Sequence, residues 1–145
     1  MSASAYHAIQ KSIFQILTSD PTLMAKVAGV FDYTPGNTEF PYVTIGESTD
    51  TSLTVYGTLG QELTMSIHVW SRYLGYEQLA SILDDIMDLL GNKIIPLDYG
   101  WLASGSWYVG TQTMVESDGI TRHAITRYRY KVTKGKEQCF VSPEE

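Results

Sequence analysis

The side chains of this chain with chemistry to offer are three histidines, one cysteine and a run of aspartates. His7, His68 and His123 stand apart, with no His-x-x-x-His or Glu-x-x-His spacing, and Cys139 has no second cysteine beside it. Structural zinc sites take four ligands in close pairs, so no metal is expected. Asp84 and Asp88 lie one helical turn apart, with Asp85 between them, so two carboxylates share a helix face. Such a pair could hold Mg²⁺ or divide acid and base roles, which would make the protein a small hydrolase or nuclease. The acids lie opposite the apolar stripe Leu79, Ile82, Leu83 and Ile86, however, where a solvated face belongs. The sequence has no Gly-x-Ser-x-Gly, no Gly-x-Gly-x-x-Gly after a strand and no Gly-Lys-Ser/Thr loop. The expectation is no catalytic residue, no cofactor and no metal.

The elements that would carry these residues are legible from periodicity. Leu63, Met65, Ile67 and Val69 alternate with Glu62, Thr64, Ser66 and His68, the pattern of a strand with one buried face over 61–71. The period then becomes helical over Tyr76, Leu79, Ile82, Leu83, Ile86, Leu89 and Leu90, and stops at Gly91-Asn92. Tyr6, Ile9, Ile13, Ile16 and Leu17 mark an earlier amphipathic helix over 4–18, and Asp20-Pro21 starts a short helical turn. Short strands are expected over Val30–Tyr33 and from Tyr42 after Pro41. Residues 47–60 read as a Ser/Thr/Gly-rich loop or small hairpin whose apolar Leu53, Val55, Tyr56 and Leu59 need cover from the protein's own core or from a partner. A late hairpin is expected from about Trp107 to Glu116 and from Thr121 to Val132, turning at Asp118-Gly119. Its return strand puts Ala124, Thr126, Tyr128, Tyr130 and Val132 on one face, and His123, Ile125, Arg127, Arg129 and Lys131 on the other. The order implies an α+β fold: a mostly antiparallel sheet of four or five strands with two main helices on one face. Residues 1–133 form one domain in this reading, and 134–145 a flexible tail.

The 145 residues carry 16 acids against 10 Lys and Arg, a net charge of −6, which argues against general nucleic-acid binding. Charged residues are scarce at 18% and tyrosines number ten, a balance that suits either strand faces or surfaces meeting other protein. Acids dominate 61–98 and bases dominate 101–136, so one protomer could present unlike, complementary sides to copies of itself. A lone cysteine fits synthesis in a reducing cytoplasm. There is no signal peptide and no apolar run near 18 residues, so a soluble protein is expected.

Several segments together resemble a known family. Pro41-Tyr42-Val43-Thr44-Ile45-Gly46-Glu47, Gly60-Gln61-Glu62, His68-Val69-Trp70-Ser71-Arg72, Gly75-Tyr76-Glu77 and Asp118-Gly119-Ile120-Thr121-Arg122-His123 occur in the order and spacing of the tail completion proteins of long-tailed bacteriophages, also called tail-to-head joining or tail terminator proteins. The resemblance runs from about residue 5 to 133. It implies a non-enzymatic virion protein, made in the host cytoplasm, that forms a homo-hexameric ring at the neck. The ring would cap the tail tube protein, meet the head-side connector, and pass DNA through its centre without sequence-specific binding. No membrane is involved. The family supplies no site residues to carry over, so the candidates rest on physics: Leu53, Val55, Tyr56, Leu59, Arg127, Arg129 and Lys131 for subunit or partner contacts, and Glu77, Asp84 and Asp88 facing the channel. The competing readings are a monomeric ligand-binding or regulatory domain, with a pocket drawn from Tyr99, Trp101, Trp107 and Tyr108, and a head-side adaptor.

Overall fold

In the computed structural model, which describes residues 4–33, 36–52 and 60–134, α1 (Ala5–Thr18) is started by Ser4, whose Oγ accepts a hydrogen bond from the His7 amide. That bond satisfies one of the amides a helix start leaves unpaired. Ile9, Ile13 and Leu17 are completely buried along one stripe of this helix. Asp20 accepts from the Leu23 amide and Pro21 takes the first position of α2 (Pro21–Met24), as the sequence suggests.

The expected strand over Val30–Tyr33 is shorter, β1 (Val30–Phe31), and it pairs in parallel with β2 (Tyr42–Ser52) only at Val43 and Thr44. Residues 47–52 correct the loop reading: β2 continues to Ser52, paired with β3 (Gly60–Ser71) beyond a bulge between Ile45 and Ser48. Thr49, Asp50, Thr51 and Ser52 are all exposed, so this half of the strand has no apolar alternation to reveal it.

After β3, α3 (Glu77–Leu90) buries Leu79, Ile82, Ile86 and Leu90. Each such side chain contributes roughly 1.5–3 kcal/mol on leaving water. Its partners are the inward residues of β3, namely Leu63, Met65, Ile67 and Val69, none with any exposed surface. β4 (Trp101–Val115) starts well before the expected Trp107. Register shifts at Ala103/Gly105 and Tyr108/Gly110 break its alternation, which hides it in the sequence. It returns through the Asp118-Gly119 turn, where Gly119 has φ 74°, into β5 (Arg122–Lys134).

The sheet order is β1-β2-β3-β5-β4, antiparallel except for β1. Helices α1 and α3 lie on one face, against Ala124, Tyr128, Tyr130 and Val132 of β5 as well as β3. The other face carries no helix among the described residues.

Candidate assembly surfaces

Strand alternation sends Arg127, Arg129 and Lys131 to the helix-free face, opposite Ser66, Thr64 and Glu62 of β3. The stripe is partly answered by its own neighbours. The Arg129 Nε lies 3.2 Å from Glu62 Oε2, and the Lys131 ammonium sits 5.4 Å above the Trp107 ring. Arg127 adds its charge to the groups that hold the Glu47 carboxyl below its usual range, after that residue's own backbone amide and His68.

On α3, Asp84 and Asp88 are exposed, as the periodicity implies. Asp85 is different and corrects the reading of a uniformly solvated face. Its side chain is 15% exposed and its Oδ2 lies 2.7 Å from the Lys26 Nζ. The contact is poorly aimed for a hydrogen bond, so it is a pairing of charges, and Lys26 donates instead to Ser81 Oγ at 2.7 Å. Glu77, in the first turn, borders an open groove of about 400 Å³ with Lys26, Tyr73, Gln78, Ser81 and Ile82. No three His, Cys, Asp or Glu side chains converge as metal ligands among the described residues. Leu53, Val55, Tyr56 and Leu59 lie outside those residues, as does the expected tail beyond Lys134. The aromatic pocket does not form: Trp101 is buried in the core, Trp107 lies on the helix-free face, and Tyr108 is beside Tyr128 on the helix side.

The structure builds a cluster that linear spacing could not show. His68 and His123, 55 residues apart, face each other across β3 and β5 with Nδ1 of the first 2.7 Å from Nε2 of the second. Glu47 Oε1 reaches the other nitrogen of His68 at 3.0 Å, and Glu116 Oε2 reaches that of His123 at 2.9 Å. Four strands or their ends are thereby tied by one chain of polar contacts. The Trp70 ring stacks on His123 at 3.7 Å and 10°, and its Nε1 donates to Thr44 Oγ1. Burial pushes the His123 imidazole below its ordinary value, against the upward pull of Glu116. Gly46 makes room for this chain, since a Cβ there would lie 2.7 Å from the His68 ring. The available signal was that both histidines alternate away from the apolar faces of their strands.

At one end of the sheet, Arg72 ties the β3–α3 connection to the late hairpin. Its Nε donates to Thr121 Oγ1 at 3.1 Å, one terminal nitrogen lies 3.7 Å from Asp118, and its guanidinium covers Phe40 at 4.5 Å. Asp118 accepts from the Thr121 hydroxyl and from the Thr121 and Ile120 amides, which hold its carboxyl down at about 2. Around this latch Tyr73, Leu74, Tyr76 and Ile120 are exposed, Leu74 by 77%. Exposed apolar side chains gathered at one tip are suited to contact with other protein.

Comparison with known proteins gives a consistent answer. Residues 11–133 match the family model of the tail completion protein gp17. The chain is 27% identical over 128 residues to the tail completion protein gp17 of Bacillus phage SPP1, covering 88% of this chain and 94% of that protein. The solved structure of bacteriophage SPP1 gp17 superposes with a TM-score of 0.60 at 26% identity, over 87% of this chain and 89% of that one. A chain from the virion of a native gene transfer agent particle shares the fold more closely, with a TM-score of 0.81 at 20% identity over 91% of this chain and 99% of the other. This chain belongs to the tail completion protein gp17 family and is a structural tail protein of the virion, not an enzyme.

Proposed function

We propose that six copies form a ring at the head-proximal end of the tail tube, ending tube growth and offering a surface to the head-side connector, with DNA passing through the centre. The observation that carries this reading is the family match across residues 11–133. Physical support comes from unlike surfaces on one protomer: acids on the open side of α3, bases on the helix-free face of β5, and an apolar tip at Tyr73, Leu74, Tyr76 and Ile120. Rings built head to tail need such unlike partners. Arg127, Arg129, Lys131 and the segment with Leu53, Val55, Tyr56 and Leu59 belong to the contacts between subunits or with the tube protein. Glu77, Asp84 and Asp88 face the channel, where carboxylates repel phosphate and keep the passing duplex from being gripped.

Electron microscopy of particles assembled without this protein tests the role. The expected result is finished heads beside unjoined or overlong tails, and intact virions would end the reading. For the lining, Asp84→Lys combined with Asp88→Lys leaves joined particles but impairs DNA passage. Unchanged delivery, or acids on the outer rim of the ring, would refute that placement.

A further inference from the structure

β4 is an edge strand without the usual defences. It runs fifteen residues, Trp101–Val115, and among the described residues has β5 as its one strand neighbour. Between positions 101 and 115 there is no Asp, Glu, Lys, Arg or Pro. Exposed edges are normally blunted by charge, proline, shortness or bulges, because their free amides and carbonyls invite another strand. Here two bulges are the sole device, and one of them presents Val109, 49% exposed.

The helix layer also stops short of this margin. Ser106 is buried under α3, its hydroxyl donating to the Leu90 carbonyl at 2.7 Å. Further along, Tyr108, Val109 and Val115 are 40%, 49% and 44% exposed, although Tyr128 and Ala124 on the adjoining strand are covered.

The opposite margin is open as well. β1 covers β2 only at Val43 and Thr44, so 46–52 has β3 on one side and no described strand on the other. This margin is polar and acidic, with Glu47 and Asp50, whereas the strand beside β4 carries Arg127 and Arg129. Following the sheet order, β2 and β5 run one way and β3 and β4 the other.

We propose that β4 of one copy pairs edge to edge with residues 46–52 of β2 in the next copy, continuing the sheet from subunit to subunit. The inference rests on the ring reading and names its joint. A rotation that carries the sheet onward preserves strand direction, so the new pair is antiparallel, like the four-strand body of the sheet. At strand spacing Glu47, on the helix-free face beside His68, comes to lie about 10 Å from the basic column of β5, near enough for attraction between partly shielded charges, whereas Asp50, opposite Leu63, faces the helix side. The outward amides and carbonyls of β4 gain hydrogen-bond partners.

Particles assembled with cysteine variants in a Cys139→Ser background test the joint. Val109→Cys, Thr111→Cys or Thr113→Cys is combined with Thr49→Cys, and a bis-maleimide of moderate length tolerates uncertainty in register. Copies carrying both cysteines give a ladder of covalent multimers. A mixture of copies with β4 cysteine alone and β2 cysteine alone stops at dimers. A ladder or dimer from β4 cysteine alone, a cross-link to a different protein, or no cross-link in normally joined particles overturns the proposal. So does strong protection, in the free monomer, of the β4 amides that point away from β5, because the edge would then be filled by its own chain. In a second arm, Val109→Lys with Thr113→Lys leaves the unfolding midpoint of the monomer in place. It lowers head–tail joining by roughly tenfold or more, which is about 1.4 kcal/mol at the junction; joining at the normal level refutes the joint. A nonspecific cross-linker on the same particles separates the two levels. A six-membered ladder without the β4–β2 product refutes only the joint, whereas no ladder at all refutes the ring.

Discussion

Replacing Gly46 by alanine tests whether the Glu47–His68–His123–Glu116 chain is a fixed part of the fold. An added Cβ would stand 2.7 Å from His68 Cδ2 and 2.8 Å from Nε2, well inside normal contact. The ring has no free direction of escape, since one nitrogen is held by Glu47 at 3.0 Å and the other by His123 at 2.7 Å. A shift of several tenths of an ångström lengthens at least one of those contacts. Each is worth roughly 1–1.5 kcal/mol net, so losing both costs about 2–3 kcal/mol. The entropic benefit of removing a glycine, about 0.4–1 kcal/mol, has the opposite sign and is the smaller effect. The expected net loss is about 1–2.6 kcal/mol, measured by urea unfolding with an unchanged m-value. For a chain of this size that lowers the thermal midpoint by roughly 4–8 °C. His68→Ala removes the obstacle, so Gly46→Ala in that background is neutral or stabilising, a coupling that a double-mutant cycle reads directly. An alanine variant at least as stable as the parent refutes the reasoning.

Asp85→Ala leaves Lys26 with Ser81 but without its charge partner, and because Lys26 is about a third exposed the expected cost is only about 1–2 kcal/mol in urea unfolding. His123 is pushed below its ordinary value by burial, so the unfolded chain binds more protons through the window just under 6.5. Stability is therefore complete above that window and falls as the solution is acidified through it, and His123→Gln flattens this slope in unfolding curves taken between neutral and mildly acidic pH. Asp118, at about 2, favours the folded hairpin above the ordinary value of 3.8 and ceases to do so as pH falls through about 2. Asp118→Asn therefore shifts the acid limb of amide exchange at Ile120 and Thr121, and an unaltered limb counts against the latch.

What the sequence made legible follows burial. β3 and α3 each have one dry side, so their periods of two and 3.6 residues are written without interruption from Leu63 to Leu90. The two faces of β5 separate cleanly for the same reason. The second half of β2 was obscured because Thr49, Asp50, Thr51 and Ser52 meet water on both sides, and composition there resembles a loop. The early part of β4 was obscured by its bulges, which shift the alternation at Gly105 and again at Gly110. Asp85 looked like its exposed neighbours, because its partner Lys26 lies on a different element. The histidine pair depends on the register of β3 against β5, in which Trp70 faces His123, and no local pattern encodes such a pairing.

If both imidazoles are neutral, they bring two N–H protons to the three junctions of that pair with Glu47 and Glu116. With both carboxylates ionised, one junction is always a proton short. When His68 donates to Glu47 and His123 donates to His68, the shortage falls at Glu116; when both rings exchange tautomers, it falls at Glu47. A donor arriving from outside at Glu47 relieves the shortage there and turns the ring protons toward Glu116, beside the hairpin on the far side of the sheet. The two borders of the sheet are thus linked by the direction in which the ring protons point.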